Sequence, residues 1–178
     1  GATPALVTDC TLAPSLPVYA QGADGFVDQH CDDEGGGGGE IDAPPLDPTV
    51  PTNTFSATQF LYTGDDPVQV GVEPDTIEPL RAGVVRGRVN RFIDVLAGET
   101  APLAVVKVSI LDHPEYGSTR TRADGFFDLA VNGGGHLSVV FEHDEHFSLQ
   151  RGVDVAWQAM EVLDDVVLVA RDAMASGI

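Results

Sequence analysis

From Arg81 onward the chain is written in short runs of alternating apolar and polar residues, each closed by a turn signal. Period two sends successive side chains to opposite faces of a strand, so these runs are stable only where their apolar faces meet. Val85, Gly87 and Val89 face one way and Arg86 and Arg88 the other. Val106, Val108 and Ile110 oppose Lys107 and Ser109; Phe127, Leu129 and Val131 oppose Asp128; Leu137, Val139 and Phe141 oppose Ser138 and Glu142. Val153, Val155 and Trp157 come next, and Val166 with Leu168 closes the series.

The breaks between runs carry turn chemistry. Asp124-Gly125 stands between Thr119-Arg-Thr-Arg and Phe126-Phe127 and predicts a tight hairpin, because both residue types tolerate positive φ. Asn132-Gly133-Gly134-Gly135 predicts the next reversal. No amphipathic helix competes. The expectation is an all-β fold, an antiparallel sandwich of roughly seven strands whose two inner faces bury each other.

Before Arg81 the composition is different. Residues 1–80 contain no Lys or Arg, so their net charge is −14 against −5 for the remainder. Residues 1–54 read as an acidic, Gly/Pro-rich tether, extended and largely irregular, with the run Gly35 to Gly39 as a flexible centre and prolines at 44, 45, 48 and 51 stiffening its second half. Residues 55–80 bring back Phe55, Phe60, Leu61, Tyr62, Val68, Val70 and Val72, interrupted by Gly64, Pro67, Pro74 and Pro79. They read as an extended lead-in packing on the sandwich of residues 81–172, with 173–178 a terminal tail or linker.

A formal charge of −19 repels phosphate backbones, so no nucleic acid is expected as a partner. No stretch approaches the roughly 20 consecutive apolar residues of a membrane-spanning helix, so no membrane insertion is expected. The two cysteines, Cys10 and Cys31, lie in the tether. In an exported chain they would close a loop as a disulfide, and that is the expectation. The first residues lack a basic stretch followed by an apolar run, so any signal peptide is expected to have been removed or to lie outside this sequence.

RGRV at Arg86 to Val89, followed by PLAVVKVSILDHPEYGSTRTRADGFFDLAVNGGG from Pro102 to Gly135, resembles the carboxypeptidase regulatory-like, transthyretin-like (prealbumin-like) sandwich. The shared features are a G-x-V first strand, a P-L-x-x-V-x-V second strand and the T-x-x-D-G-x-F turn at Thr121 to Phe127. With LYTGDDPVQVGV at Leu61 to Val72, HPEYG at His113 to Gly117 and LDDVVLVARD at Leu163 to Asp172, the chain resembles the domain ahead of the shell in Rhs or YD-repeat proteins, bacterial relatives of teneurins. It departs from that pattern at Asn90 to Thr100, where RFIDVLAGET replaces a short turn. The resemblance implies a structural or docking role beside a YD-repeat shell or other domains of the same parent chain, in a secreted or cell-surface bacterial protein. It brings no catalytic residues with it.

The residues themselves offer little chemistry. His143-Asp144-Glu145-His146 is the most tempting cluster, but its spacing does not place two ligands on one helical turn. It reads as a solvated turn; no metal is expected, with His143, Asp144 and His146 the weak candidates. Asp28, Asp32, Asp33 and Glu34, or Asp164 and Asp165, lack the spacing of a calcium loop. Ser109, Ser138 and Ser148 have no nucleophile elbow, and no glycine run opens a helix to cradle phosphate. Trp157, Phe126, Phe127 and Phe147 are expected in the core, with a sugar-binding platform as the alternative. No enzyme activity and no cofactor are expected. The rival to a docking module is an adhesion module for a cell-surface glycan or protein ligand, assisted by calcium.

Overall fold

The computed structural model describes residues 43–45, 49, 52–94 and 96–171. The chain divides into two units, Gly1–Gly36 and Gly37–Ile178, and every described residue belongs to the second. The cysteines, and with them the expected disulfide, lie outside the described residues, as do most of the expected tether and the tail 173–178.

Among the described residues ten strands form two layers. β1 (Gln69–Val70), β4 (Lys107–Ile110), β5 (Ser118–Arg120), β7 (Gly135–Glu142) and β8 (Leu149–Val155) make one sheet in the order β1-β5-β4-β7-β8. The other is built around β2 (Ala82–Asp94). One edge of β2 pairs antiparallel with β6 (Phe126–Asn132) and then β3 (Glu99–Pro102); β9 (Met160–Val162) and β10 (Val166–Leu168) pair with it in parallel. The expected sandwich is present, with this parallel pair added.

The alternation read from the sequence builds the core. Val106, Val108, Ile110, Phe127, Leu129, Val131, Leu137, Val139, Phe141, Val166 and Leu168 are all buried. Phe127 and Phe141 meet edge to face, with ring centroids 5.6 Å apart, and join the two sheets at the centre. The RFIDVLAGET segment continues β2 and folds back as β3, with a register shift between Phe92 and Asp94.

Two local expectations are corrected. The lead-in begins with α1 (Thr54–Thr58) and a 3-10 turn (Gln59–Leu61) instead of extended chain. Asn53 caps it reciprocally: Ser56 N–H donates to Asn53 Oδ1 at 2.9 Å, and Asn53 N–H to Ser56 Oγ at 3.2 Å. One helical turn is too short to show a 3.6-residue period. Second, Asp124-Gly125 does not close a ladder hairpin, because β5 belongs to the first sheet and β6 to the second. It is a corner between layers: Gly125 N–H donates to Arg122 O (2.8 Å) and Arg122 N–H to Phe126 O (2.9 Å). Gly125 has φ +81°, and a Cβ there would lie 2.5 Å from Val89 O.

Residues 52–80 are fastened to the sandwich by apolar and polar contacts alike. Leu61 and Ile77 are buried in its core cluster, and Phe55, Phe60 and Tyr62 pack against it. Asn132 accepts from Glu78 N–H (2.8 Å) and donates to Thr76 O (2.7 Å). Fully buried Gln69 reaches from β1 to β6, where its amide meets the N–H and C=O of Ala130. With this covering, Val84 and Ala130, on the face of β2 and β6 turned from Phe127, are also buried.

Candidate functional site

Where β8 gives way to β9 the chain presents apolar side chains outward. Trp157 is 59% exposed, Met160 50% and Val162 71%. Trp157, expected inside as a continuation of Val153 and Val155, is corrected to the surface, because β8 ends at Val155 and the alternation ends with it. Its indole lies on the Gly133-Gly134 turn: a Cβ on Gly134, whose φ is +97°, would collide with the ring at Nε1. Gln158 holds the neighbouring segments together, donating from its backbone to Ala82 O and from its side chain to Pro79 O. Leu80, 77% exposed, is thereby kept beside this surface.

The other aromatics separate. Phe127 is fully buried, whereas Phe126 lies under the Arg88 guanidinium (5.5 Å) and Phe147 under that of Arg171 (6.0 Å). The expected core position of Phe126 and Phe147 is corrected, since each places its ring against a surface cation. Between Arg86 on β2 and Arg122 in the corner after β5 lies a carboxylate the sequence did not single out. Asp128 is 1% exposed and accepts from Arg86 Nε and, at 3.0 Å, from Arg122 Nη1. Alternation places it opposite Phe127, Leu129 and Val131, and that opposite face is here buried as well.

The His143–His146 run turns half inward, correcting the solvated turn. Asp144 and Glu145 are exposed, but His146 is 5% exposed. Its Nδ1 sits 3.0 Å from His143 Nδ1, the rings 86° apart. Among the described residues no three His, Cys, Asp or Glu side chains are grouped to hold a metal. His143 and Asp144 line a surface depression of about 310 Å³ with Val105, Lys107, Arg120 and Glu142. Asp165 accepts from Asn90 Nδ2 at 2.9 Å and so ties the approach to β10 onto β2. Asp28, Asp32, Asp33 and Glu34 lie outside the described residues. Among the described residues no helix is long and apolar enough to cross a membrane.

Two packed sheets, a buried aromatic centre and an apolar edge define a transthyretin-like β-sandwich domain. The family model described as "Teneurin TTR-like domain" matches residues 77–168. The chain belongs to that family. It is 34% identical to Teneurin-1 of Gallus gallus over 125 residues, which is 70% of this chain and 4% of that protein. It is 40% identical to Teneurin-3 of Mus musculus over 114 residues, 64% of this chain and 4% of that one. The chain thus spans about 4% of the length of these curated relatives. Among solved structures it is similar to GBS52, the minor pilin of Streptococcus agalactiae, with TM-score 0.42 and 9% identity over 56% of this chain and 49% of that one. A likeness of that size says nothing about function.

Proposed function

We propose that this is a non-catalytic docking module of a longer, exported teneurin-like chain, and that it packs on the shell of its own polypeptide through the surface carrying Trp157, Met160 and Val162. The observation that carries this reading is that row of exposed apolar side chains on a domain that corresponds to 4% of its relatives. A sandwich so small beside its relatives' length has most of its neighbours in the same molecule, and an apolar edge is what an intramolecular interface requires. The bacterial Rhs or YD-repeat setting, the kinship with carboxypeptidase regulatory-like domains and the secreted or cell-surface location belong to the same proposal. The kinship is supported by the resemblance at Arg86 to Val89 and Pro102 to Gly135, and the Rhs or YD-repeat setting by the further resemblance at Leu61 to Val72, His113 to Gly117 and Leu163 to Asp172. In this arrangement the acidic segment ahead of the sandwich acts as a tether, and a Cys10–Cys31 bridge would stabilise it in an oxidising compartment.

The test compares the domain alone with the longer native polypeptide by hydrogen exchange. Docking is expected to add protection from Trp157 to Val162; unchanged exchange there would remove this surface from the interface. The alternative, adhesion to a cell-surface glycan, is favoured by the exposed indole of Trp157, whose Nε1 edge abuts Gly134. Specific binding of the domain to a glycan array, with loss in Trp157→Ser, would put adhesion first.

A further inference from the structure

The chain leaving β10 is clasped by the loop after β7. Phe147 N–H donates to Val169 O (2.9 Å), Arg171 N–H donates to Glu145 O (2.8 Å), and His146 faces Ala170 in an isolated antiparallel bridge. The Arg171 guanidinium lies over the Phe147 ring. This clasp is small, and the only buried side chain of the loop from His143 to Phe147 is the His146 imidazole.

Two imidazole nitrogens 3.0 Å apart share one proton, one donating and the other accepting. Glu145 N–H also points at His143 Nδ1, at 3.3 Å, which makes that atom the acceptor and His146 Nδ1–H the donor. The closed pair therefore accommodates at most one added charge, whereas two hydrated imidazoles accept two. The opened clasp binds more protons than the closed one, and acidification favours opening.

We propose that the His143–His146 contact is a pH-sensitive latch on the segment leaving β10, which acidification releases at Phe147 and Arg171 while the sandwich stays folded. The surroundings act in the same sense. Burial, then the charge of His143, lowers the pKa of His146; Arg91 on β2 also lowers it, against the opposing pull of Glu145. On the His143 side stand Lys107 and Arg120, with Glu142 and Asp144 as the acidic counterparts, and Arg171 flanks the clasp from the departing chain. A base with a lowered folded-state pKa contributes stability that is present above its unfolded value of about 6.5 and lost as pH falls toward the folded value. The latch therefore holds at neutral pH and yields in mildly acidic solution.

Amide exchange on the full chain, expressed as protection factors so that intrinsic pH effects cancel, tests this between pH 7.5 and 5. The opening constants of the Phe147 and Arg171 amides are expected to rise below about pH 6.5, by up to roughly tenfold per pH unit for each proton taken up. Those of Val139 and Phe141 in β7 should stay constant. His143→Gln keeps an acceptor but cannot titrate, and its profile at Phe147 and Arg171 should be flatter. A pH profile identical in wild type and H143Q, a wild-type profile with no acid response, or protection lost together across β7 and the clasp would each overturn the latch.

Discussion

The side-chain amide of Gln69 makes both hydrogen bonds of the Ala130 backbone: Ala130 N–H donates to its Oε1 at 2.6 Å, and its Nε2 donates to Ala130 O at 2.9 Å. The same Nε2 also donates to Tyr116 O at 2.7 Å. A residue of one sheet thus does for an edge of the other what a neighbouring strand would do.

Gln69→Leu keeps a similar volume but leaves buried peptide groups of Ala130 and Tyr116 without partners. An unsatisfied buried group costs about 1–3 kcal/mol, so a loss on the order of 3 kcal/mol is expected in urea unfolding. A neutral result would mean that water or a shifted backbone replaces the amide.

A chain beginning at Arg81 loses Gln69 together with buried Leu61 and Ile77. Removing one large buried aliphatic side chain costs about 2–5 kcal/mol, comparable to a large share of the 5–15 kcal/mol that a domain typically possesses. Such a chain is expected to lack a cooperative urea transition, whereas one beginning at Thr52 keeps it.

Gly125→Ala forces a side chain into φ +81° and against Val89 O, which is backbone and cannot rotate away. A loss of about 2 kcal/mol or more is expected from strain and displacement. Chemical denaturation checks it, and a change below about 0.5 kcal/mol, the scale of an ordinary surface substitution, would contradict the corner geometry.

Gly134→Ala drives a methyl group into the Trp157 ring. Trp157 is the only tryptophan, so its fluorescence reports this turn alone. The expected outcome is a red-shifted emission maximum as the indole leaves the glycine surface; an unchanged spectrum would show that the ring does not rest there.

What the sequence made legible was whatever depends on period two within one strand. The inward sets of β4, β6 and β7 follow from alternation, because each of those strands keeps one face on the shared core. Partners distant in sequence left no such trace. Asp124-Gly125 carries the chemistry of a reversal, but nothing local says that the strands on either side belong to different sheets. Asp128 alternates like a surface residue, and it is enclosed by two arginines beyond its own strand. At the candidate surface the pattern misled: Trp157 continues the spacing of Val153 and Val155 after the strand itself has ended. His146 was misjudged for a related reason, since its loop is folded inward by pairing with Val169 to Arg171.

β10 runs in the same direction as β2, and that has a mechanical consequence. Tension applied between the start of β2 at Ala82 and the end of β10 at Leu168 acts along both strands from opposite ends. The bonds that join β2 to β9 and β10 are then loaded in shear, all at once, instead of being peeled one by one as in a hairpin pulled from its open end. In a chain placed under traction, this sandwich is expected to resist extension until it yields in one step, and force spectroscopy on a tandem of domains would register a single rupture for each.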